Sequence, residues 1–451
     1  MSIYCDIFLF IYTFNNLYIF YILRNIYFKL VTFGFLIIFF ISLSLINRLN
    51  EFRLFGNCIG VKMKPVIIYI SGSHQHSGKT VTSIGLLSLL SKIYPSEELG
   101  YIKPVGQQVI KLEDGTTVDK DAQIIDKFSK IPALDLKIIS PVQFPPSFTR
   151  EYLDSDRQDE LTEKLKADIN IAMSFLKNKR YIIAEGTGHP GVGSIVGLSN
   201  AVVSNMIGAD ILYISDGGIG RAIDRMETDL LYFRHMGSRL RGIIFNKVVE
   251  EKIPTMKEYI TEDLLNKRFR GLDNQPINIL GYLPRIKTIL NPSMNLLRKR
   301  FKKHKVIGNT NAVHWHKPVN NIKILSLVSE ALDLDELIDP GDIVLIAIMS
   351  RNRRSRILKY AAKMKGRLGG LVLTSARMYT LPAEIEEMIL DVGIPAFVVE
   401  EDTAGAEEIL LDAYANTKLQ IYDKNKVSEV RQLFEKHIDF DKFLNTFKTG
   451  K

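Results

Sequence analysis

VIIYI at Val66–Ile70, running into GSHQHSGKT at Gly72–Thr80 and VTSIGLLSLL at Val81–Leu90, is an apolar strand, a glycine-bearing loop and a helical pattern in succession. A helix N-terminus presents unpaired backbone N–H groups and a partial positive charge, so this order of elements makes a cradle for a polyphosphate. In such a loop Lys79 reaches the β/γ-phosphates and the Thr80 hydroxyl meets Mg²⁺. Gly72, His76, Ser77, Gly78 and Val81 fill out the nucleotide-binding stretch. The general pattern has a glycine where this chain has Ser73, and Gly72 stands one step earlier. The strand before and the helix after are the surroundings the motif requires, and they favour nucleotide binding over a structural turn.

Beyond the loop, apolar runs at Tyr181–Ala184, Ile211–Ser215, Gly242–Asn246 and Ile277–Tyr282 alternate with amphipathic stretches such as Asp159–Leu176 and Ser199–Ile207, the latter opening on a Ser suited to N-capping. Alternation of this kind predicts an α/β fold whose mainly parallel sheet is covered by helices on both faces. Ligands of such sheets sit beyond the carboxyl ends of the strands, so the residues following each strand are the candidates. They are Lys103 in GYIKPVGQQ, Asp119 or Asp121 in VDKDAQII, Glu185 and the glycines Gly186 and Gly188 in EGTGHPGVG, Arg221 in DGGIGR, and Asn246 with Lys247. Glu185 and either Asp121 or Asp119 suit Mg²⁺, Lys103 a phosphoryl group, Asn246 a nucleobase edge, and Arg221 an anionic substrate. The plainer roles are a loop-capping carboxylate, a helix-capping Asp, a surface Lys, a turn-forming Asn, and an Asp216–Arg221 pair.

With 451 residues the chain exceeds what one hydrophobic core organises, so two or more domains are expected. Much of its formal charge of +9 lies in RKRFKK at Arg298–Lys303 and RNRRSR at Arg351–Arg356. Neither run carries a nucleic-acid fold signature, so each reads as a solvated face or linker and no nucleic-acid partner is expected. Cys5 and Cys58 are the two cysteines, which leaves no disulfide framework or cysteine metal site in the body of the chain and fits a reducing cytoplasm. Residues 1–47 are crowded with Phe, Ile, Leu and Tyr, and Val31–Ile46 carries no charge. Two explanations compete, a membrane anchor or translation that begins at Met63; the monotony of the segment favours the second.

In order, GSHQHSGKT, YIKPVG, VDKDA, AEGTG, DGGIGR, FNK and LGYLP resemble the dethiobiotin synthetase branch of the P-loop NTPases, of the AAA_26 type, over roughly Met63–Met294. That branch also places its first loop glycine one residue early. The resemblance implies that Lys79 and Thr80 bind ATP and Mg²⁺, Lys103 faces the phosphoryl group, Asp121 and Glu185 support the metal, and Asn246 lies near the adenine. EGTGHPGVGS and GGIGRAID look closer to the module that opens some phosphotransacetylases, and residues 295–451 resemble, more loosely, the DRTGG domain that follows it there. Residues around Asn352 and Arg353, and Thr374, Ser375 and Ala376, stand where that domain has its signatures. With no acetyltransferase domain in the sequence, phosphate acetyl transfer is not expected. His314 and His316 near the linker read as incidental. The expectation is a P-loop NTPase domain at 63–294 and a smaller α/β regulatory or interaction domain at 295–451, ending in helices Ala404–Ala415 and Asn425–His437. Its activity would be ATP hydrolysis or phosphoryl transfer. The alternatives are an ATP-dependent ligase or carboxylase acting on a small amine or carboxylate, and a non-catalytic regulator whose homodimer is gated by nucleotide. A membrane partner enters only with residues 1–62.

Overall fold

The computed structural model describes residues 64–448 except 130, 133–134, 270–274, 326–333, 349–358, 361, 364–366, 376–380, 416, 418 and 422. The apolar segment 1–62, the basic run 351–356 and positions 352, 353 and 376 lie outside the described residues. Among those described, no helix is long and apolar enough to cross a membrane.

Six parallel strands form the first sheet: β1 (Val66–Gly72), β2 (Leu99–Ile102), β3 (Tyr181–Glu185), β4 (Asp210–Asp216), β5 (Arg239–Val248) and β6 (Asn278–Pro284), in the order β6-β5-β4-β1-β3-β2. Their near-continuous apolar runs are explained by burial on both faces. Along β1, Ile67 and Tyr69 enter one core while Val66, Ile68 and Ile70 enter the other. The face of Val66, Ile68 and Ile70 carries α1 (Lys79–Leu90) and α2 (Lys120–Phe128). The opposite face carries α3 (Gln158–Leu176), α4 (Asn200–Met206) and α5 (Ile219–His235). The expected N-cap is present: the Ser199 hydroxyl accepts the Val202 N–H at 3.2 Å.

A second, smaller sheet is built from β7 (His304–Ile307), β8 (Ile322–Ile324), β9 (Ile343–Ala347), β10 (Gly370–Thr374) and β11 (Ala396–Val399), ordered β7-β11-β10-β9-β8 and parallel except at β7. Helix α6 (Ala383–Val392) covers one of its faces and α7 (Thr403–Ala415) the other. Part of the basic run Arg298–Lys303 serves this module, since Phe301 is buried against Phe397 and Lys303 faces Glu400 at 3.4 Å.

The chain then returns to the first sheet. Helices α8 (Lys424–His437) and α9 (Phe440–Thr446) close the face that holds α1, burying Val430, Phe434, Phe443 and Phe447 with Leu86, Leu87 and Leu90. This explains why α1 is apolar on nearly every side: the sheet covers one flank and α8 the other. At the crossing, a Cβ on Gly85 would sit 2.2 Å from the ring of Phe434, which is fully buried. Gly to Ala inside a helix ordinarily stabilises by about 1 kcal/mol. Here the expected result is the reverse: Gly85→Ala lowers unfolding free energy by about 1–3 kcal/mol through overpacking. Denaturant unfolding should also show the loss largely recovered in Gly85→Ala/Phe434→Leu.

Candidate functional site

The phosphate loop leaves β1 and enters α1 through Gly78, whose φ of 103° is left-handed and whose Cβ would lie 2.1 Å from Asn246 Nδ2. Glycine is required there on both counts. Asn246, at the end of β5, clamps the loop from behind: its Nδ2 donates to the Ser77 carbonyl at 2.8 Å and its Oδ1 accepts the Lys247 N–H at 2.9 Å. Lys247, itself at φ 55°, donates from Nζ to the His76 carbonyl at 2.6 Å. No acidic residue occupies the first turn of α1 to compete with an anion.

Lys79 is 5% exposed, and its Nζ donates to the carbonyls of His74 at 2.9 Å and Gly188 at 2.8 Å. Burial, then repulsion from Lys103, brings its pKa down to about 7. At the end of β3, Glu185 is fully buried and accepts four hydrogen bonds, from Thr80 at 2.8 Å, Ser83 at 2.7 Å, Tyr101 at 3.1 Å and Lys103 at 3.1 Å. Lys103 also reaches Asp121 at 2.8 Å and the Gly186 carbonyl at 3.2 Å. Burial pulls the Lys103 pKa down, but Asp121 and Glu185 overcome it and hold the ammonium above the ordinary lysine value.

The two aspartates after β2 divide their work. Asp119 caps α2 by accepting the Asp121 N–H at 2.8 Å and accepts the Gln108 N–H at 3.0 Å, so its carboxylate is taken up in local structure. Both line the cleft, and Asp121, whose side chain is 15% exposed, is the more open of the two. The loop after Glu185 is held by Asn200, which accepts the Thr187 N–H at 2.9 Å and donates to the Thr187 and His189 carbonyls, each at 2.6 Å. Space for a Cβ is missing at Gly186, where one would meet Asn200 Oδ1 at 2.7 Å and Tyr69 at 2.9 Å. Gly188 has φ 61°.

These groups line an open cleft of about 100 Å³. Of the residues singled out from the sequence, His76, Gly78, Lys79, Thr80, Val81, Lys103, Asp119, Asp121, Glu185, Gly188 and Lys247 are on its wall. Gly72, Ser77, Gly186 and Asn246 stand behind the wall, where they shape the loops. Arg221 is away from it, with a side chain 76% exposed and 3.9 Å from Asp216. Sequence reasoning missed Gln107, Gln108, Ile124, Thr187, Ile289, Leu290, Thr417 and Leu419 on the wall, and Ser83, Tyr101 and Asn200 behind it. Polar residues inside otherwise apolar runs, such as Ser83 in α1 and Tyr101 in β2, were the available signal.

Among the described residues no group of three or more His, Cys, Asp or Glu could hold a metal ion. Mg²⁺ does not need one, because it takes one or two carboxylates and fills its shell with phosphate oxygens and water. The Thr80 hydroxyl on Glu185, with the Asp121 carboxylate on the far side of Lys103, fits that requirement.

A parallel sheet whose central strand runs through a glycine loop into a helix opening on Lys79 and Thr80 defines a P-loop NTPase. A profile of an AAA domain family, AAA_26, matches residues 67–293, half of the chain, and the chain belongs to that family. Similar solved structures include the MinD cell division protein of Aquifex aeolicus (13% identity, 50% of this chain and 85% of that one, TM-score 0.31). A ParA family ATPase from Chlorobium tepidum TLS is similar at 16% identity over 50% of this chain and 86% of that one, TM-score 0.28. The CBS and DRTGG domains of the regulatory region of Clostridium perfringens pyrophosphatase, complexed with the activator diadenosine tetraphosphate, match at 16% identity over 32% of this chain, TM-score 0.22. The last match takes in 62% of that regulatory region, less than two thirds of its length.

Proposed function

We propose that this chain binds ATP with Mg²⁺ and acts on the γ-phosphoryl group, by hydrolysis or by transfer to a small acceptor, with its second α/β module in a regulatory, DRTGG-like role. The observation that carries the reading is the meeting of Lys79, Thr80, Lys103, Asp121 and Glu185, from four separate segments, in one cleft. The motif series resembling dethiobiotin synthetases supports it.

In this scheme Lys79 exchanges the His74 and Gly188 carbonyls for the β/γ-phosphates. Lys103 keeps its charge because two carboxylates hold it, and adds positive potential beside the transferred group. Glu185 orients the Thr80 hydroxyl and the Lys103 ammonium, and with four donors already on it is a positioning residue. When bound, Mg²⁺ would be held by Thr80 and Asp121 with Glu185 behind them, and would neutralise charge on the phosphate oxygens. No protein nucleophile is required. Calorimetric titration of the full chain with Mg-ATP, with phosphate release followed in the same samples, tests the proposal. Binding with release supports it, binding without release selects a nucleotide-gated regulator, and no binding sinks both.

A ligase or carboxylase reading draws on one further feature: the cleft continues past Lys103 to Gln107, Gln108 and Thr187, leaving room for a second substrate. Stimulation of ADP release by a small amine or carboxylate would select it.

The depressed Lys79 pKa gives the binding a pH signature. Below about pH 7 the amine is charged with or without nucleotide. Above it, the free protein has lost a proton that the phosphates draw back, so affinity falls by up to about tenfold per pH unit. Titrations at pH 8 in buffers of different ionisation enthalpy should show uptake of roughly one proton. Absence of uptake would mean that Lys79 is already charged in the empty loop.

A further inference from the structure

The chain passes between its two sheets twice. Outbound, it leaves β6 through the short helix Lys287–Leu290 and reaches β7; on its return it runs from α7 into α8. Both crossings supply wall to the cleft, Ile289 and Leu290 from the first and Thr417 and Leu419 from the second. The cleft therefore stands at the joint between the two modules. The second crossing and α8 lie outside the stretch 67–293 matched by the family profile.

One buried side chain ties the crossings together. Lys426, in the first turn of α8 and 4% exposed, donates from Nζ at 2.6 Å to the carbonyl of Asn291, the residue after Leu290. It faces Asp423 at 3.9 Å, and that carboxylate accepts at 2.9 Å the N–H of Gln420, the residue after Leu419. From Asn291 the ties continue into the second module: its Nδ2 donates to the Val319 carbonyl at 2.8 Å, and the Val319 N–H donates to the Pro292 carbonyl at 2.9 Å. Val319 is a core residue of that module, in one cluster with Met294, Trp315 and Phe397. On its other flank α8 reaches the P-loop domain, where Arg431 donates at 2.7 Å to the carbonyl of Phe128, at the end of the helix that carries Asp121. A buried lysine–carboxylate pair adds little net stability, because desolvation offsets the attraction, but separating its charges from their partners is costly. A shift of either crossing would strand the Lys426 ammonium or the Asp423 carboxylate in a dry seam. The two cleft walls and the flank of the second sheet are thus held in one register.

We propose that Lys426 is the pin of an allosteric joint: the wall geometry that grips a nucleotide is the geometry in which the second sheet is docked through Asn291 and Val319, so cleft occupancy and docking reinforce each other. The inference rests on the proposed nucleotide binding and gives the second module's regulatory role a route. Coupling of this kind is reciprocal: the nucleotide tightens the joint, and whatever loosens the joint weakens the nucleotide by the same factor. Lys426 is not on the cleft wall and acts through Asn291 and Asp423.

The test is hydrogen exchange on the full chain, with and without saturating Mg-ATP, beside affinities from calorimetry. In the native protein Mg-ATP is expected to slow exchange in the phosphate loop and also in the second module, by about fivefold or more across residues 319–324. Lys426→Met/Asp423→Asn removes both charges at once, so neither is left buried alone, and keeps an acceptor for the Gln420 N–H. It should bind Mg-ATP about tenfold more weakly and lose the protection at residues 319–324 while the phosphate loop keeps its own. Asn291→Ala serves as the second variant: it cuts the tie to Val319, leaves the backbone carbonyl for Lys426, and should lose the distant protection in the same way. Protection confined to the P-loop domain in the native protein would overturn the inference. So would variants that retain both the affinity and the distant protection, or that lose thermal stability alone. Native protein that binds no Mg-ATP would remove the functional reading and this inference with it, whereas binding without distant protection would remove this inference alone.

Discussion

Lys79→Ala is expected to lower Mg-ATP affinity by about a hundredfold and to abolish phosphate release, with the unfolding midpoint little changed. Hydrogen bonds from a charged donor contribute about 1.5–3 kcal/mol each, and the phosphate-facing ammonium makes more than one. Stability should survive because Lys79 is an expensive tenant of the empty loop: burial has pulled its pKa down to about 7, and its main partners are the carbonyls of His74 and Gly188. Removing the amine relieves that desolvation while costing those two contacts. Calorimetry and thermal unfolding on the same preparation separate the two effects. Unchanged ATP affinity would rule out the P-loop assignment of the site, and a large drop in midpoint would make Lys79 a structural residue.

The opposite pattern is expected at Glu185. Its carboxylate is fully buried and receives Thr80, Ser83, Tyr101 and Lys103, so Glu185→Ala leaves a buried ammonium with one carboxylate fewer and three hydroxyls without their acceptor. Breaking a buried pair in this way costs about 3–5 kcal/mol. For a chain of this size that is a fall in unfolding midpoint of roughly 3–5 °C without any nucleotide present. Glu185→Gln keeps the shape but turns one acceptor into a donor facing donors, and should fall between the two. A midpoint within about 1 °C, roughly 1 kcal/mol, of the native value for Glu185→Ala would show that the residue serves the ligand alone.

The contrast between these residues explains what the sequence could and could not disclose. Lys79 and Thr80 were readable because a phosphate loop is a local object: strand, loop and helix are contiguous, and each element has its own periodicity. Glu185 was readable as the residue after an apolar strand, but the meeting of four donors on it was not, since Thr80 belongs to one motif, Tyr101 and Lys103 to another, and Ser83 to none. Asp119 and Asp121 looked interchangeable in VDKDA until the helix start decided between them. The C-terminal helices were legible as helices, yet their destination was not, because the apolar face they bury belongs to α1, far back in the sequence. Thr417 and Leu419 carry no local signature at all; a leucine in a connecting segment becomes informative once the cleft beside it is known.

That long return of the chain has a consequence during synthesis. The second sheet is set between β6 and α8, so the leucine-rich flank of α1 that Phe434 covers stays bare until Lys424–His437 has been made. At about 5–20 residues per second the interval between translating Leu90 and Lys424 is on the order of half a minute. Through that interval the nascent P-loop half holds an uncovered apolar surface of the sort chaperones bind. A product stalled inside the second module would be material for a protease rather than a folded P-loop domain.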